Sequence, residues 1–206
     1  PVDYAIVSGT ITNSDATELT IESADRSFTE KTALSEEGTF LDTLKVEDGV
    51  FYLQDGKNFV QLYLAVGSNV VVNYDAADLK NSLAFSGEGA EISTYMLNKR
   101  NKTSELMGEG TAFYELDEEA YKAKSKEIAS SVAALLEVEG IDEDYKALET
   151  RNVHYEYLNN LSRYEMYHSY YAKKPDFKVS EGFLKELDDV DYGNEEDFKN
   201  SQVYKQ

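Results

Sequence analysis

Hydrophobic and polar residues alternate along the first part of the chain, up to about residue 86. Leu19 and Ile21 lie between polar neighbours, and a longer run repeats the pattern with Val60, Leu62, Leu64 and Val66. A period of two residues is typical of strands with one buried face, and turn-forming residues separate about seven such strands. Because the strands are short and no helical pattern lies between them, we predict an antiparallel β-sandwich, immunoglobulin-like or related, over residues 1–86.

The hydrophobic period changes to about 3.6 residues after residue 88, which is typical of helices. One predicted helix face carries Tyr121, Ile128, Val132 and Leu135, and another carries Val153, Tyr157, Leu161, Tyr164, His168 and Tyr171. The pattern predicts helices near residues 89–107, 117–139, 142–173, 180–189 and 195–205. The chain is therefore predicted to be an α+β protein, with a β domain over residues 1–86 and a helical domain over residues 87–206.

Residues with capping properties mark the ends of the predicted helices. Asp117 and Asp142 have side chains that can accept hydrogen bonds from the free N–H groups of a first helical turn. Gly108 and Gly140 can adopt the left-handed conformation that ends a helix. Pro175 follows two lysines and is expected to close the longest helix.

The chain is strongly acidic, which excludes two classes of partner. Its 206 residues include 20 Lys and Arg against 40 Asp and Glu, for a formal net charge of −20. Such a polyanion is repelled by nucleic acids and by anionic lipid headgroups. No run approaches the roughly 18 apolar residues that a membrane-spanning helix needs, so we expect no membrane insertion. The absence of Cys excludes thiol chemistry within these residues.

Residues 87–92, with the sequence GEGAEI, begin like a dinucleotide-binding loop but do not complete the motif. The pattern G-x-G-x-x-G requires a third glycine for close helix packing, and Ile92 occupies that position. Glu88 and Glu91 would also repel a pyrophosphate at the helix N-terminus. We therefore interpret the segment as a joint between a strand and a helix, and we expect no cofactor.

Metal-binding and catalytic patterns are incomplete in this sequence. His154 and His168 lie 14 residues apart on one predicted helix, about 21 Å along its axis, and cannot share a metal ion. We expect both to be surface or helix-face residues, and we assign no catalytic residue. The acidic stretch 188–197 fails the spacing of an EF-hand loop, which leaves a solvated turn and an irregular calcium site as two open interpretations.

The segment 154–174 has the most unusual composition of the chain, because tyrosines are concentrated there. Tyrosine combines a flat apolar ring with a polar tip, which suits half-exposed surfaces. Two interpretations remain open: packing inside the protein, and a surface that contacts a partner. The candidate interaction face consists of Tyr157, Tyr164, Tyr167 and Tyr171.

The stretch LYLAVGSNVVVNYDAADLKNSLAFSGEGAEISTYMLNKRN, residues 62–101, resembles a region of exported thioredoxin-like thiol-disulfide oxidoreductases of Gram-negative bacteria. In that family an N-terminal β domain of unknown function ends with a sequence like FSGEGAEI, which enters a helix. The opening VSGTITN and the central EEGTFLDTLKVEDGVFYL are similar to the first and middle strands of the same domain. The resemblance extends over residues 4–100 and only loosely over the helical part.

In this family a thioredoxin domain with a W-C-x-x-C site follows the helices. The present chain has neither Cys nor Trp, so the resemblance implies a non-catalytic front part that is not itself an enzyme. It also implies export to the periplasm or outer surface, with a lipid anchor upstream of Pro1. The implied partners are the downstream thioredoxin-like domain or a second copy of the chain.

Two further functions remain open. A periplasmic or cell-surface binding module would take a glycan or a peptide in a groove lined by exposed aromatic residues. A hydrolase with paired carboxylates would need two acids across a cleft, roughly 5 to 9.5 Å apart in glycosidases. With 40 acidic residues, the sequence does not select such a pair.

Overall fold

The structure is a computed structural model that describes residues 3–189, and these residues form an α+β fold. Within this range lie two four-stranded sheets and five helices, which confirms the predicted mixture of a strand-rich first part and a helical second part. The predicted helix near residues 195–205 and most of the acidic stretch 188–197 lie outside the described residues.

Eight strands within the described range build the two sheets. They are β1 (Ala5–Thr12), β2 (Glu18–Ser23), β3 (Thr29–Ala33), β4 (Thr39–Leu44), β5 (Gly49–Gln54), β6 (Phe59–Leu64), β7 (Asn69–Asp75) and β8 (Ala84–Glu88). The first sheet has the strand order β4-β1-β7-β8, and the second has the order β3-β2-β5-β6. The chain therefore passes from one sheet to the other after β1, β3, β4 and β6. β3 and β4 are both edge strands.

One pair of neighbouring strands departs from the predicted antiparallel arrangement. β1 and β7 run parallel, with Val7 opposite Val70 and Gly9 opposite Val72, so the first sheet is mixed. The other described strand pairs are antiparallel. The prediction was wrong for this pair because alternation indicates which face of a strand is buried, and carries no information about the direction of the neighbouring strand.

The alternating hydrophobic residues of both sheets contribute to one core cluster. The positions that the alternation placed on a buried face have almost no exposed area, as predicted, and they are Leu19, Ile21, Val60, Leu62 and Leu64. Val66 does not follow them. It lies beyond the end of β6 and is 42% exposed, because the period-two geometry ends with the strand.

The helices are α1 (Leu79–Ser82), α2 (Glu91–Met107), α3 (Ala112–Glu115), α4 (Glu118–Leu135) and α5 (Glu143–Tyr171), followed by a 3-10 helix (Lys185–Asp189). The three long helices lie close to their predicted positions. The helix predicted over residues 180–189 is reduced to that single 3-10 helix, because Gly182 adopts a φ of 86°, which interrupts a right-handed helix. None of the described helices is long and apolar enough to cross a membrane.

The helix ends confirm the capping predictions. The Asp117 side chain accepts a hydrogen bond from the Ala120 N–H, and the Asp142 side chain accepts one from the Tyr145 N–H. At the C-terminus of α5, the Lys174 N–H donates to the Ser169 carbonyl, which closes the last turn before Pro175.

The contacts divide the chain into two compact units, Pro1–Leu97 and Asn98–Gln206. The division falls inside α2, so this helix contributes its first turns to the β unit and its remaining turns to the helical unit. The limits of the predicted domains, 1–86 and 87–206, stay a prediction.

The glycines of the segment GEGAEI allow the end of β8 to lie close to the main chain of Ser68 and Asn69, where β7 begins. A Cβ atom on Gly87 would lie 2.2 Å from the Asn69 carbonyl oxygen, and one on Gly89 would lie 2.7 Å from Ser68 Cβ. Both glycines also have positive φ values, 89° and 84°. They therefore serve the close packing of a strand that leads into α2, in agreement with the interpretation as a strand-to-helix joint.

We expect Gly9→Ala to destabilise the parallel pairing of β1 and β7. A Cβ atom at this position would lie 1.7 Å from the Val72 carbonyl oxygen, so the two strands must separate, at a cost of about 1–3 kcal/mol or more. Gly49→Ala is the matched control, since a Cβ atom there meets nothing within 4 Å. Urea unfolding followed by circular dichroism measures both variants, and equal midpoints would contradict this account of the strand pair.

Candidate interaction site

The core of the helical unit contains a set of rings packed against each other, which we call the aromatic ladder: Tyr121, Tyr164, His168, Phe177 and Phe183. The Tyr164 ring is fully buried, and its centroid lies 4.3 Å from that of Tyr121, 4.9 Å from that of His168 and 5.3 Å from that of Phe183. The rings belong to α4, α5 and the segment after α5, so their packing ties these parts of the chain together. Each aromatic pair contributes about 0.5–1.5 kcal/mol beyond the burial of its area.

The two tyrosine hydroxyls of the ladder donate hydrogen bonds to main-chain carbonyl groups. The Tyr164 hydroxyl donates to Leu116 O and the Tyr121 hydroxyl donates to Asn160 O, both at 2.7 Å. Burial, together with the nearby acids at the start of α4, raises the pKa of Tyr164 to about 12, so this hydroxyl keeps its proton at neutral pH. The ladder therefore combines apolar packing with directional hydrogen bonds.

His168 is a core residue and not a surface residue. Only 2% of it is exposed, and its Nδ1 lies 2.8 Å from the Tyr114 carbonyl oxygen. Because a carbonyl oxygen can only accept, Nδ1 must carry the proton that it donates. His154, by contrast, is exposed, in agreement with the prediction for that residue.

Tyr157 belongs to a second buried contact of the same helix. It is 7% exposed, and its hydroxyl donates to Glu186 Oε2 at 2.7 Å. Lys122 Nζ lies 3.2 Å from the other oxygen of this carboxylate. The hydrogen bond from Tyr157, followed by the charge of Lys122, lowers the pKa of Glu186. The contact anchors the 3-10 helix to α4 and α5.

A more exposed group of rings lies near the C-terminal end of α5, and we call it the tyrosine patch: Tyr114, Tyr167, Tyr170 and Tyr171. The Tyr114 ring lies 4.9 Å from the Tyr167 ring and stacks on the Tyr171 ring at 5.6 Å. Tyr170 packs edge-on against Tyr171 and is 75% exposed. Met166, one turn earlier on α5, is 60% exposed, so apolar surface continues beyond the patch.

The structure thus separates the four residues of the predicted interaction face. Tyr157 and Tyr164 lie in the core, where they are 7% and 0% exposed, because their rings fill the space between α5 and its neighbours. Tyr167 and Tyr171 are half-buried members of the tyrosine patch, and their role as an interaction face stays a prediction. The sequence did not reveal Tyr114, because α3 has four residues and is too short to show a helical period.

A partly buried ion network joins α2 and α5 within the helical unit. Lys99 Nζ lies 2.8 Å from Glu149 Oε1 and 2.8 Å from Glu156 Oε1. Glu149 is only 8% exposed. Burial alone would lower the pKa of Lys99, but the charges of the two glutamates outweigh it and raise the pKa. The Lys99 ammonium group therefore lies between the Glu149 and Glu156 carboxylates, in the space where a glycosidase would bind its substrate. This pair of acids thus forms an ion network and leaves no open cleft between the two carboxylates.

Residues 3–189 contain no group of three or more His, Cys, Asp or Glu side chains arranged to hold a metal ion. Comparisons of the chain with protein-family models, with curated proteins and with solved structures found no match. We therefore infer a function from the geometry of the chain itself and from the resemblance of its sequence.

We expect Tyr164→Ala to lower the free energy of unfolding by about 3–5 kcal/mol, because it removes a fully buried ring and leaves a cavity. Tyr170→Ala should change the free energy of unfolding by less than about 0.5 kcal/mol, because its ring is largely exposed. Chemical denaturation followed by far-ultraviolet circular dichroism tests both. A similar loss in the two variants would show that the patch and the ladder are one packed unit.

We expect Lys99→Met to destabilise the helical unit by about 1–3 kcal/mol, because Glu149 then remains buried without its cationic partner. The triple variant Lys99→Met, Glu149→Gln, Glu156→Gln should recover part of that loss, since it removes the uncompensated charges. Thermal unfolding of the single and the triple variant decides the matter. A triple variant less stable than the single one would mean that the carboxylates have partners that matter more than Lys99.

Proposed function

We propose that the chain is the non-catalytic N-terminal region of an exported thioredoxin-like thiol-disulfide oxidoreductase, located in the periplasm or at the outer surface. The support is the residue pattern over positions 4–100, together with an order of elements in which a strand-rich unit leads through a glycine-rich joint into helices. The chain contributes no thiol because it has no Cys. Its role is to position the domain that performs the exchange.

The strand-rich unit is proposed to be a sandwich of two sheets, immunoglobulin-like or related. The support is the core cluster, to which strands of both sheets contribute buried side chains such as Leu44 on β4 and Leu53 on β5. Two sheets that bury their hydrophobic faces in one core commonly pack face to face.

The tyrosine patch is the observation that carries the positioning role. Tyr170 and Met166 expose apolar area next to half-buried rings, and aromatic residues and Met are enriched where proteins contact each other. With a net charge of −20, long-range attraction between two copies is not available. We therefore favour the downstream thioredoxin-like domain as the partner of the patch, ahead of a second copy.

One observation favours a binding module for glycans as the second candidate. Phe59 and Tyr52 lie diagonally across the pair β5 and β6, on the polar face of the second sheet, and they are 62% and 37% exposed. Gln54, opposite Phe59, adds an amide group to this face. Exposed rings beside amide groups provide stacking and hydrogen bonding for a sugar.

The natural protein tests the proposed function directly. We expect an antibody raised against this chain to isolate, from cells of its source, a protein heavier than 23.2 kDa by roughly one domain of 100–150 residues. Its tryptic peptides should include a W-C-x-x-C sequence, and preimmune antibody is the control. An intact mass without room for such a domain, or complete peptide coverage without the Cys pair, would overturn the proposal and favour the glycan-binding module.

A further inference from the structure

Two acidic side chains face each other at the edge where the chain passes from the second sheet to the first. Glu30 lies on β3 and Asp42 on β4, and both strands are at the edges of their sheets. On β3, Glu30 lies on the same face as the buried Thr32, and on β4, Asp42 lies on the same face as the buried Phe40. Both acids therefore point toward the core side of their strands. The hydroxyl of Thr32 donates a hydrogen bond to Asp42 Oδ2, so the polar contact already bridges the two strands.

The Glu30 carboxyl group has an unusual surrounding. Its Oε2 atom is buried and has no hydrogen-bond donor, whereas a buried carboxylate oxygen is normally hydrogen-bonded. The neighbouring polar group is the carboxyl group of Asp42, which has no proton to donate when it is ionised. A hydrogen bond between the two groups therefore exists only when one of them holds a proton.

No other charged side chain faces this pair from the strands packed against it. Ile21 of β2 lies opposite Glu30, and Val7 of β1 lies opposite Asp42. Three charged residues of β2 and β3, Glu18, Glu22 and Lys31, lie on the other face of the second sheet. Glu18 and Lys31 form an ion pair with each other at 3.5 Å. The protonation of the pair is thus governed by the two carboxyl groups themselves.

We propose that Glu30 and Asp42 share one proton and form a pH-operated latch that joins the edge strands β3 and β4. With the proton in place, a hydrogen bond spans the two strands and the Glu30 oxygen is satisfied. Without it, two like charges face each other at the edge of a hydrophobic core, and that edge opens. This inference concerns the β unit alone and does not depend on the proposed function.

The loop between the two strands determines where the edge opens. Ser35 and Thr39 hold the loop closed, since the Ser35 N–H donates to Thr39 O and the Thr39 N–H donates to Ser35 Oγ. The strand ends beside the loop are therefore tied by neutral hydrogen bonds that do not titrate. The latch lies farther along the strands, so loss of its proton loosens the ends at Thr29 and Leu44.

The direction of the pH effect follows from the folded state. The hydrogen bond with Asp42, followed by burial and by the charge of Asp42, raises the pKa of Glu30 from its ordinary 4.5 to about 7. The folded state thus binds this proton more tightly than the unfolded state. The contribution of the latch to stability is complete below pH 4.5, decreases between pH 4.5 and 7, and is absent above that range.

Hydrogen–deuterium exchange of the whole chain at pH 5.5 and pH 8.5, corrected for the intrinsic exchange rates, tests the latch. In the wild-type protein we expect the protection of amides in β3 and β4 to fall roughly tenfold at pH 8.5. One pKa unit corresponds to a factor of ten, and the partial exposure of Glu30 reduces the full effect. Strands β5, β6 and β7 should keep their protection, which distinguishes a local opening from a general loss of stability.

The variants make the test specific. Glu30→Gln can donate to Asp42 at every pH, so its β3 and β4 protection should be equal at the two pH values. Asp42→Asn gives the same result from the other side of the pair and serves if Glu30→Gln folds poorly. Glu36→Gln, an exposed acid in the connecting loop, is the matched control and should behave like the wild type. The latch is refuted if Glu30→Gln loses protection as the wild type does, or if all strands lose it together.

Discussion

The excess of acidic side chains constrains how this chain is held together, because 40 carboxylates have only 20 cationic partners. Neutral donors supply much of what cations cannot. Asp55 accepts hydrogen bonds from the main-chain N–H groups of its own turn and from the Tyr74 hydroxyl. Hydrogen bonds from Ser27 and Ser23 to Asp25 lower the pKa of that carboxyl group to about 2. Hydroxyl and amide donors therefore stabilise charges that would otherwise need an ion pair.

In the helical unit, tyrosine hydroxyls are neutral donors of the same kind. Tyr157 donates to a carboxylate, whereas Tyr164 and Tyr121 donate to carbonyl oxygens while their rings fill the core. A phenylalanine ring would fill the same space but would leave those acceptors without a partner. A helix face rich in tyrosine can thus be an interior face with every polar tip in use, although its composition resembles that of a half-exposed surface.

The sequence predicted the buried residues best where a hydrophobic pattern repeats several times. The alternation through β6 and the 3.6-residue period of α5 each repeat several times, so they identified buried residues such as Leu62 and Leu161 correctly. The parallel direction of β1 beside β7 is a relation between distant segments, and alternation does not encode it. Tyr114 was missed for a similar reason, because it reaches the tyrosine patch from a helix of one turn. The sequence therefore predicted which faces are buried better than it predicted which faces meet.

The same constraint explains why Glu30 differs from the other acids that lie wholly or partly inside the fold. Glu149 has Lys99, Glu186 has Tyr157, and Asp55 has a turn of main-chain N–H groups, so each of these carboxylates has a donor. Glu30 lies on an edge strand, and the polar group next to its side chain is the carboxyl group of another acid, Asp42. Where no hydroxyl, amide or cation reaches a buried carboxylate oxygen, a shared proton is the donor that remains. In this chain, neutral donors satisfy many of the carboxylates. The stability of the β unit is therefore sensitive to pH near neutrality at the Glu30–Asp42 pair, where such donors are absent.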